Sequence, residues 1–317
     1  MDIGRIGNNQ LTSNILSNLQ GLLQRQNQLF REISSGKKIL QASDDPLGTA
    51  QALSLQDQLS RNQQQQNVVI SGNTWTNITN GALNDAQATW QRVSEIATSA
   101  ADGTKSAADL TSMGLELDQL LNHLVQVSNT TNAGLYVFGG GKTNTPAFKS
   151  EVNPNTGKIT GVFYQGDSTV RSVATQDTGK VPLNILGSNA GNPGAPGSFV
   201  DSSSGADAFK TMIQLRDKLL SNNTIGLSGS GGLLQQVTTI GNNLTASQSR
   251  LGGSQEVLDL DINRLISQNS NVMQSLSEVE DADTARLALE LNNVQNVYQA
   301  ALGSGGRILQ LGLLNYI

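Results

Sequence analysis

The residues that come nearest to a known binding motif are Gly141, Lys142 and Thr143, which copy the end of a phosphate-binding P-loop. That motif also needs a glycine five positions before Gly141, where this chain has Tyr136. It further needs a strand before the loop and a helix after it, whereas here a helical pattern precedes the loop and a proline-containing β region follows. The segment therefore does not predict a nucleotide site.

Other side chains that could support catalysis or bind a metal are few. His123 is the only histidine and the chain has no cysteine, so a catalytic triad, a zinc site and a disulfide all lack their parts. Next to Leu120 and Leu124, His123 is interpreted as a residue on the flank of a helix. We predict no catalytic residues, no cofactor and no metal, and a protein that is not an enzyme.

Two acidic groups have a structural interpretation. Asp44 and Asp45 stand directly before Pro46, which suits the first position of a helix, so Ser43 or Asp45 is predicted to cap that helix. A second group could hold a cation, but an acidic first helical turn is the simpler interpretation, because carboxylates complement the helix dipole there. This group consists of Glu278, Glu280, Asp281 and Asp283.

Composition excludes several classes of partner. Charged residues make up 14% of the 317 residues, the net charge is -5, and no cluster of Lys and Arg is present, which argues against nucleic acid and anionic membranes. The first residues contain no apolar signal sequence, and no run approaches the length of a membrane span. We expect a soluble protein that stays in the cytoplasm or leaves by a route without a cleaved signal.

Two amphipathic arms are predicted near the ends of the chain, over residues 11–33 and 281–317. Their apolar residues recur at alternating spacings of three and four, a seam that packs helix on helix. From Leu287 onward only Glu290 and Arg307 are charged, which is typical of a helix that lies among other helices. The seam is formed by Ile15, Leu19, Leu22, Leu29 and Ile33 in the first arm and by Leu287, Leu291, Val294, Tyr298 and Ala301 in the second.

We expect the two arms to pack on each other. The glycine-rich run 303–306 predicts either a close helix approach or a bend, so the seam is expected to end near Leu302. The last apolar residues, Ile308, Leu311 and Leu314, are then predicted to contact another subunit.

Between the arms, apolar periodicity predicts further helices, with weak points at the polar run 63–66 and at Gly252 and Gly253. Five of the six prolines lie between Pro146 and Pro196, where short β segments are predicted. The predicted helices cover residues 46–101, 110–127, 209–220 and 233–277, and the predicted strands cover 159–164, 169–174 and 181–185.

The predicted fold is mainly α. A long helical bundle or coiled coil is formed by the N- and C-terminal arms, and a small β-rich domain is inserted between the helical halves. The predicted domains are a terminal coiled-coil domain of residues 1–42 with 281–317, a helical bundle domain of 43–140 with 206–280, and the β-rich insertion 141–205.

Several short motifs carry a family likeness. They are Ser34-Ser35-Gly36-Lys37-Lys38, Ser43-Asp44-Asp45-Pro46, Leu135-Tyr136-Val137-Phe138-Gly139-Gly140, Thr145-Pro146-Ala147-Phe148 and the final Leu313-Leu314-Asn315-Tyr316-Ile317. Together they resemble the flagellin superfamily, and more narrowly its hook-filament junction proteins, hook-associated protein 3. The Pro46 and Tyr136 motifs favour the junction proteins over flagellin itself.

The resemblance implies a structural subunit of the bacterial flagellum. Such a subunit forms a ring of identical copies between hook-associated protein 1 and the flagellin filament, by folding and packing of its terminal helices with neighbouring subunits. It would be held by a cytoplasmic export chaperone and then secreted, without a cleaved signal, to the extracellular flagellum. The alternatives are flagellin, a type III secreted effector and a nucleotide-dependent enzyme.

Overall fold

The computed structural model describes residues 3–175, 179–189, 197–229 and 231–314, with the side chains of 3–9, 11–12 and 308–314 outside the description. It is 66% helical, which confirms the predicted mainly α fold. The described residues form six helices: α1 (Ile3–Ser35), α2 (Pro46–Ala101), α3 (Ala107–Ser128), α4 (Ala208–Leu220), α5 (Leu233–Glu280) and α6 (Thr284–Leu314).

The described strands are short and pair as four separate antiparallel hairpins, β1 with β2, β3 with β4, β5 with β6, and β7 with β8. Their bounds are Thr131–Asn132 and Leu135–Tyr136, Phe148–Val152 and Ile159–Tyr164, Ser172–Thr175 and Gly179–Pro182, and Val200–Asp201 and Ala206–Asp207. All lie between α3 and α4, in agreement with the predicted β-rich middle of the chain.

The helix ends follow local chemistry. After α1, Gly36 adopts a φ of +69°, a conformation that glycine reaches without steric cost. The start of α3 carries a capping box, in which Ser106 accepts from the Asp109 N–H and Asp109 accepts from the Ser106 N–H. Asp207 caps α4 by accepting from the Lys210 N–H.

The chain packs as two compact units. One contains residues 1–63 and 267–317, and the other contains residues 64–266. The division falls within α2 and within α5. The three domains predicted from the sequence have other boundaries and stay a prediction.

In the first unit, α1 packs along α6, as the seam pattern predicted. Next to this pair, the side-chain amide of Gln56 on α2 donates to Glu280 at the end of α5 over 2.6 Å. The arms at the two ends of the sequence therefore form one structural element.

The second unit holds the large core. Four mutually packed phenylalanines lie at its β-rich part, with the rings of Phe138 and Phe199 5.1 Å apart and nearly perpendicular. Against them α3 packs on α4, where Gly114 lets the two helices approach at Leu220. The aromatic set is Phe138, Phe148, Phe199 and Phe209.

The abundant amide residues have a visible use in this unit, where they link α2 to α5. Asn73 donates to Asp259 over 2.7 Å, and Gln248 donates to Asn84 over 2.6 Å. Asn80 donates to Gln255 between them. Hydrogen bonds of amide side chains thus provide part of the linkage between long helices that ion pairs usually provide.

The structure corrects several local predictions. Helix α2 runs without interruption through 63–66, and α5 and α6 continue through 252–253 and 303–306, because helical hydrogen bonding tolerates glutamine at little cost and each glycine at roughly 1 kcal/mol relative to alanine. Strand β4 has the predicted bounds. Strand β5 begins three residues and ends one residue later than predicted, and β6 begins two and ends three residues earlier. The hairpins β1–β2 and β7–β8 and the strand β3 were not predicted.

Candidate assembly interface

The seam between α1 and α6 is only partly buried. Leu29 is fully buried and Leu287 is 4% exposed. The other predicted seam residues with described side chains are half-buried, namely Ile15, Leu19, Leu22, Ile33, Leu291, Val294, Tyr298 and Ala301. Ile308, Leu311 and Leu314 belong to α6, but their side chains lie outside the described part. Much of the seam thus retains apolar surface that further contacts could cover.

Polar contacts join α1 and the residues that follow it to α6 and to the end of α5. Arg25 donates to Glu290 over 2.5 and 3.0 Å, and the ammonium of Lys37 lies 2.6 Å from a carboxylate oxygen of Glu280. The backbone continues this link, because the Lys38 N–H donates to the Glu280 carbonyl and the Ala282 N–H to the Gly36 carbonyl.

These contacts also account for the acidic group at 278–283. Glu280 pairs with Lys37, and Asp283 caps α6 by accepting from the Arg286 N–H over 3.0 Å. The described residues contain no cluster of three or more His, Cys, Asp or Glu side chains that could hold a metal ion. The acidic group therefore lies at the end of α5 and in the residues before α6, and not in the first turn of α6 as predicted.

Gly305 explains the glycine-rich run in α6. A Cβ atom at this position would lie 3.2 Å from Cγ2 of Ile15, which is tighter than an ordinary contact. The glycine permits close approach of the two helices, and α6 continues through it without a break. The seam therefore continues to Gly305, three residues beyond the predicted end.

A second apolar surface on α1 was not predicted. Leu16, Leu23 and Phe30 recur at intervals of seven residues and are 57%, 40% and 46% exposed. At 3.6 residues per turn they lie about 80° around the helix from the seam. We call these three residues the α1 stripe. The seven-residue spacing is visible in the sequence, but it does not follow the alternating pattern of three and four that defines the seam.

The predicted helix cap at the start of α2 has a defined geometry. Asp45 accepts from the Gly48 N–H over 2.9 Å, and Asp44 accepts from the N–H groups of Leu40 and Gln41. Pro46 is the first residue of α2, and Ser43 is exposed before it. Both aspartates thus act on backbone N–H groups.

The P-loop-like segment is filled by a carboxylate of the chain itself. Oδ1 of Asp167 accepts from the Gly141 N–H over 2.6 Å and from the Thr169 N–H over 2.9 Å. Gly140 has a φ of +69°, and a Cβ there would overlap Asp167. The glycines therefore serve to fold the loop around Asp167, in the place where a P-loop would hold phosphate.

This carboxylate predicts an acid-dependent contribution to stability. The N–H groups of Gly141 and Thr169 hold the pKa of Asp167 below its usual value. A carboxyl group with a lowered pKa in the folded state stabilises the fold above its unfolded pKa, and this stabilisation is lost as pH falls below about 4. Asp167→Asn keeps the two accepted hydrogen bonds but cannot titrate.

Thermal unfolding between pH 7 and pH 2 measures the effect. We expect the wild-type melting temperature to exceed that of Asp167→Asn at neutral pH and the difference to shrink in acid. Asp167→Ala, which loses both hydrogen bonds, should cost about 1 kcal/mol or somewhat more at neutral pH. An equal pH dependence of wild type and Asp167→Asn would contradict the assignment.

His123 and the apolar character of the helices remain to be described. His123 is exposed on α3, between the buried Leu121 and Leu124. Among the described helices none combines the length and the apolar character needed to cross a bilayer. The candidate functional surfaces among the described residues are therefore the α1–α6 pair and the α1 stripe.

The proteins that this chain resembles in sequence are flagellar proteins. The chain is 27% identical over 177 residues to flagellar hook-associated protein 3 of Escherichia coli, a match that covers 55% of this chain and 56% of the relative. It therefore spans little more than half the length of that protein. With flagellin of Bacillus subtilis it shares 25% identity over 300 residues, which cover 94% of this chain and 93% of the relative.

Solved structures and family matches agree with this. The crystal structure of Bacillus cereus FlgL superposes with a TM-score of 0.55 at 17% identity, covering 71% of this chain and 99% of the other, which shows a common fold. Residues 6–143 match the bacterial flagellin N-terminal helical region, and residues 234–317 match the bacterial flagellin C-terminal helical region. Because these two matches together span more than half of it, the chain belongs to the flagellin superfamily.

Proposed function

We propose that this chain is a structural subunit of the bacterial flagellum at the junction between the hook and the filament. The observation that carries the proposal is the surface of the α1–α6 pair. No residue from Ile6 to Gln24 and none from Leu291 to Gly306 is charged, and α1 exposes its stripe in the same region. A helix exposed to solvent normally carries charge on its outer face, so these surfaces suit contacts with other helices.

The partner in these contacts is a second copy of this chain. The half-buried seam and the α1 stripe together offer apolar surface on two sides of α1. Packing against a neighbouring copy would complete the burial of the seam, so the terminal helices reach their full stability in the assembly. A ring of copies would present its ends to hook-associated protein 1 and to flagellin, the partners expected of a junction subunit.

A place in the flagellum also implies a route to it. The proposal includes binding of a cytoplasmic export chaperone, secretion through the flagellar type III channel and an extracellular location. The family membership and the names of the relatives support this part of the proposal. The proposal includes a structural and not a catalytic role, which the names of the relatives support.

Flagellin is the second candidate. The match to flagellin of Bacillus subtilis covers nearly the whole of both chains, whereas the match to hook-associated protein 3 of Escherichia coli covers about half of each. A filament subunit would use the same α1–α6 pair, but in thousands of copies along the filament.

Immunogold electron microscopy of flagella from the source bacterium separates the two functions. An antibody against the β-rich middle of the chain should label one band between hook and filament if the chain is a junction subunit. Labelling along the filament would establish flagellin instead, and absence of label from intact and sheared flagella would contradict both. Growth of purified protein into long fibres would likewise favour flagellin.

A further inference from the structure

A groove in the second unit has the features of a ligand site. Its volume is about 550 Å³, and it lies between α2, the β1–β2 turn and β5. Apolar side chains form much of its lining, and the polar residues Gln64, Asn67 and Asn132 also line it. A cavity of this size with apolar walls and a few polar groups is typical of small-molecule sites. The apolar lining includes Val68, Trp75, Leu135, Val173 and Leu183.

Trp75 contributes a hydrogen-bond donor that has no acceptor. The residue is 6% exposed, and its indole Nε1 is buried without a partner among the described residues. The other tryptophan, Trp90, donates from Nε1 to the Val237 carbonyl over 2.8 Å. Leaving a buried donor unpaired costs free energy, and because this atom is closed to solvent, a ligand in the groove would affect it through the Trp75 ring and not by direct contact.

Arg171 contributes a positive charge at the same place. Its guanidinium carbon lies 4.5 Å from the centroid of the Trp75 ring, and its side chain is exposed. No carboxylate in the described part of the chain forms an ion pair with it, unlike Arg25, Arg92 and Arg216. A guanidinium group matches the two oxygens of a carboxylate, and it can remain stacked on an aromatic ring while it binds them.

The backbone around Arg171 is well fixed. The Arg171 N–H donates to Oδ1 of Asn184 over 2.8 Å, and the Arg171 carbonyl accepts from the Leu183 N–H over 2.8 Å. Gln65 on α2 donates to the Ala174 carbonyl over 2.6 Å, which holds β5 against α2. The groove thus has a largely preformed shape, with Arg171 as its exposed, adaptable member.

We propose that the groove between Trp75 and Arg171 binds a small carboxylate that carries an apolar substituent. Arg171 binds the carboxylate, and the apolar substituent lies against Val68, Val173 and Leu183. Because the chain has a net charge of -5, attraction of an anion depends on this local cation and not on the overall field. The inference is independent of the flagellar role, so either could fail without the other.

The chain has two tryptophans, of which Trp75 lines the groove and Trp90 does not, so their indole N–H signals can be compared in one sample. In protein labelled with ¹⁵N at tryptophan, the two indole N–H signals are assigned with Trp75→Phe. Titration with N-acetyl-leucine should shift the Trp75 signal in a saturable way and leave the Trp90 signal in place. N-acetyl-leucinamide has the same shape without the charge, and we expect it to bind at least about tenfold more weakly.

Substitutions of Arg171 test whether its positive charge binds the carboxylate. Arg171→Gln should weaken binding of N-acetyl-leucine at least about tenfold, and Arg171→Lys should weaken it less, because the charge remains but the fork is lost. Arg250→Gln, at another exposed arginine, is the matched control and should bind like wild type. An unmoved Trp90 signal in each unbound variant shows that the core is intact.

Three results would overturn the proposal. They are an absence of any Trp75 shift up to about 10 mM ligand, equal affinity for the acid and its amide, and unchanged binding in Arg171→Gln. None of these results depends on flagellar assembly.

Discussion

Replacing Leu29 by aspartate is expected to separate α1 from α6. Leu29 is fully buried in the seam, so the substitution removes apolar contacts and places a carboxylate where water cannot reach it. We expect a loss of about 3–5 kcal/mol from the stability of the helix pair. Amide hydrogen exchange of the monomer measures this directly, since protection of residues 13–35 should fall to that of an unpaired helix.

The matched control is Leu23→Asp, six residues earlier on the same helix. Leu23 belongs to the α1 stripe and is 40% exposed, so an aspartate there remains solvated. We expect the exchange pattern of the monomer to stay close to wild type, within about 0.5 kcal/mol. Protection of α1 that survives Leu29→Asp, or is lost equally in both variants, would contradict the assignment of seam and stripe.

Along the wild-type seam, protection should be graded. It should be highest near Leu29 and Leu287 and lower toward Ile15 and Ala301, where the seam is half-buried. Leu19→Asp and Leu291→Asp should therefore change the monomer less than Leu29→Asp, yet both should prevent assembly. Normal incorporation of both variants would refute the seam as an assembly element.

The second large effect is expected at Arg216, on the packed face of α4. Its guanidinium is 2% exposed and donates to Asp118 on α3 and to Asp217, each over 2.8 Å. Arg216→Met preserves much of the volume but leaves Asp118, itself 16% exposed, without its cation. We expect a loss of about 3–5 kcal/mol in the unfolding free energy of the second unit, measured by urea denaturation.

Arg92 provides the control for burial. It links α2 to Glu116 on α3 over 2.6 Å, but its side chain is 51% exposed. The hydrogen bonds that Arg92 donates to Glu116 and Glu95 raise the pKa of Arg92, so it stays charged at any ordinary pH. In solvent such a pair contributes little, and Arg92→Met should leave the urea midpoint almost unchanged. Equal effects of Arg92→Met and Arg216→Met would show that burial of the ion pair does not determine how much stability is lost.

Adding Asp118→Leu to Arg216→Met tests the cause of the loss. If the cost comes from a buried unpaired carboxylate, removing that carboxylate should recover a large part of the stability. A double variant as unstable as the sum of the single variants would instead point to lost packing of the arginine stem.

The sequence predicted features that depend on local periodicity. The seam from Ile15 to Ile33 and its partner from Leu287 to Ala301 follow from spacing alone, and in the structure α1 packs against α6. The stop at Gly36 and the start at Pro46 also follow from single residues with strong backbone preferences.

Features that depend on contacts distant in sequence were not predictable in the same way. Asp167 reaches back 26 residues to the Gly141 N–H, and only this contact shows that the glycine loop is closed. Trp75 and Arg171 meet although nearly one hundred positions separate them, and neither belongs to a motif. The pairing of β3 with β4 likewise depends on register, which a run of short polar strands specifies weakly.

The stripe is an intermediate case. Leu16, Leu23 and Phe30 recur at a period visible in the sequence, but only the fold shows that they remain exposed while the neighbouring seam is buried or half-buried. A helix with two apolar faces in a sequence predicts contacts with more than one partner, without saying which face meets which.

The measurement that tests the central claim is the incorporation of Leu23→Asp into flagella of the source bacterium from which the wild-type gene has been removed. Export into the medium and the helix content of the purified monomer should equal those of wild type. We predict that the variant is exported but absent from sheared flagella, because the stripe contacts a neighbouring copy. Incorporation of Leu23→Asp at the wild-type level would contradict the proposal that the α1 stripe is an assembly surface.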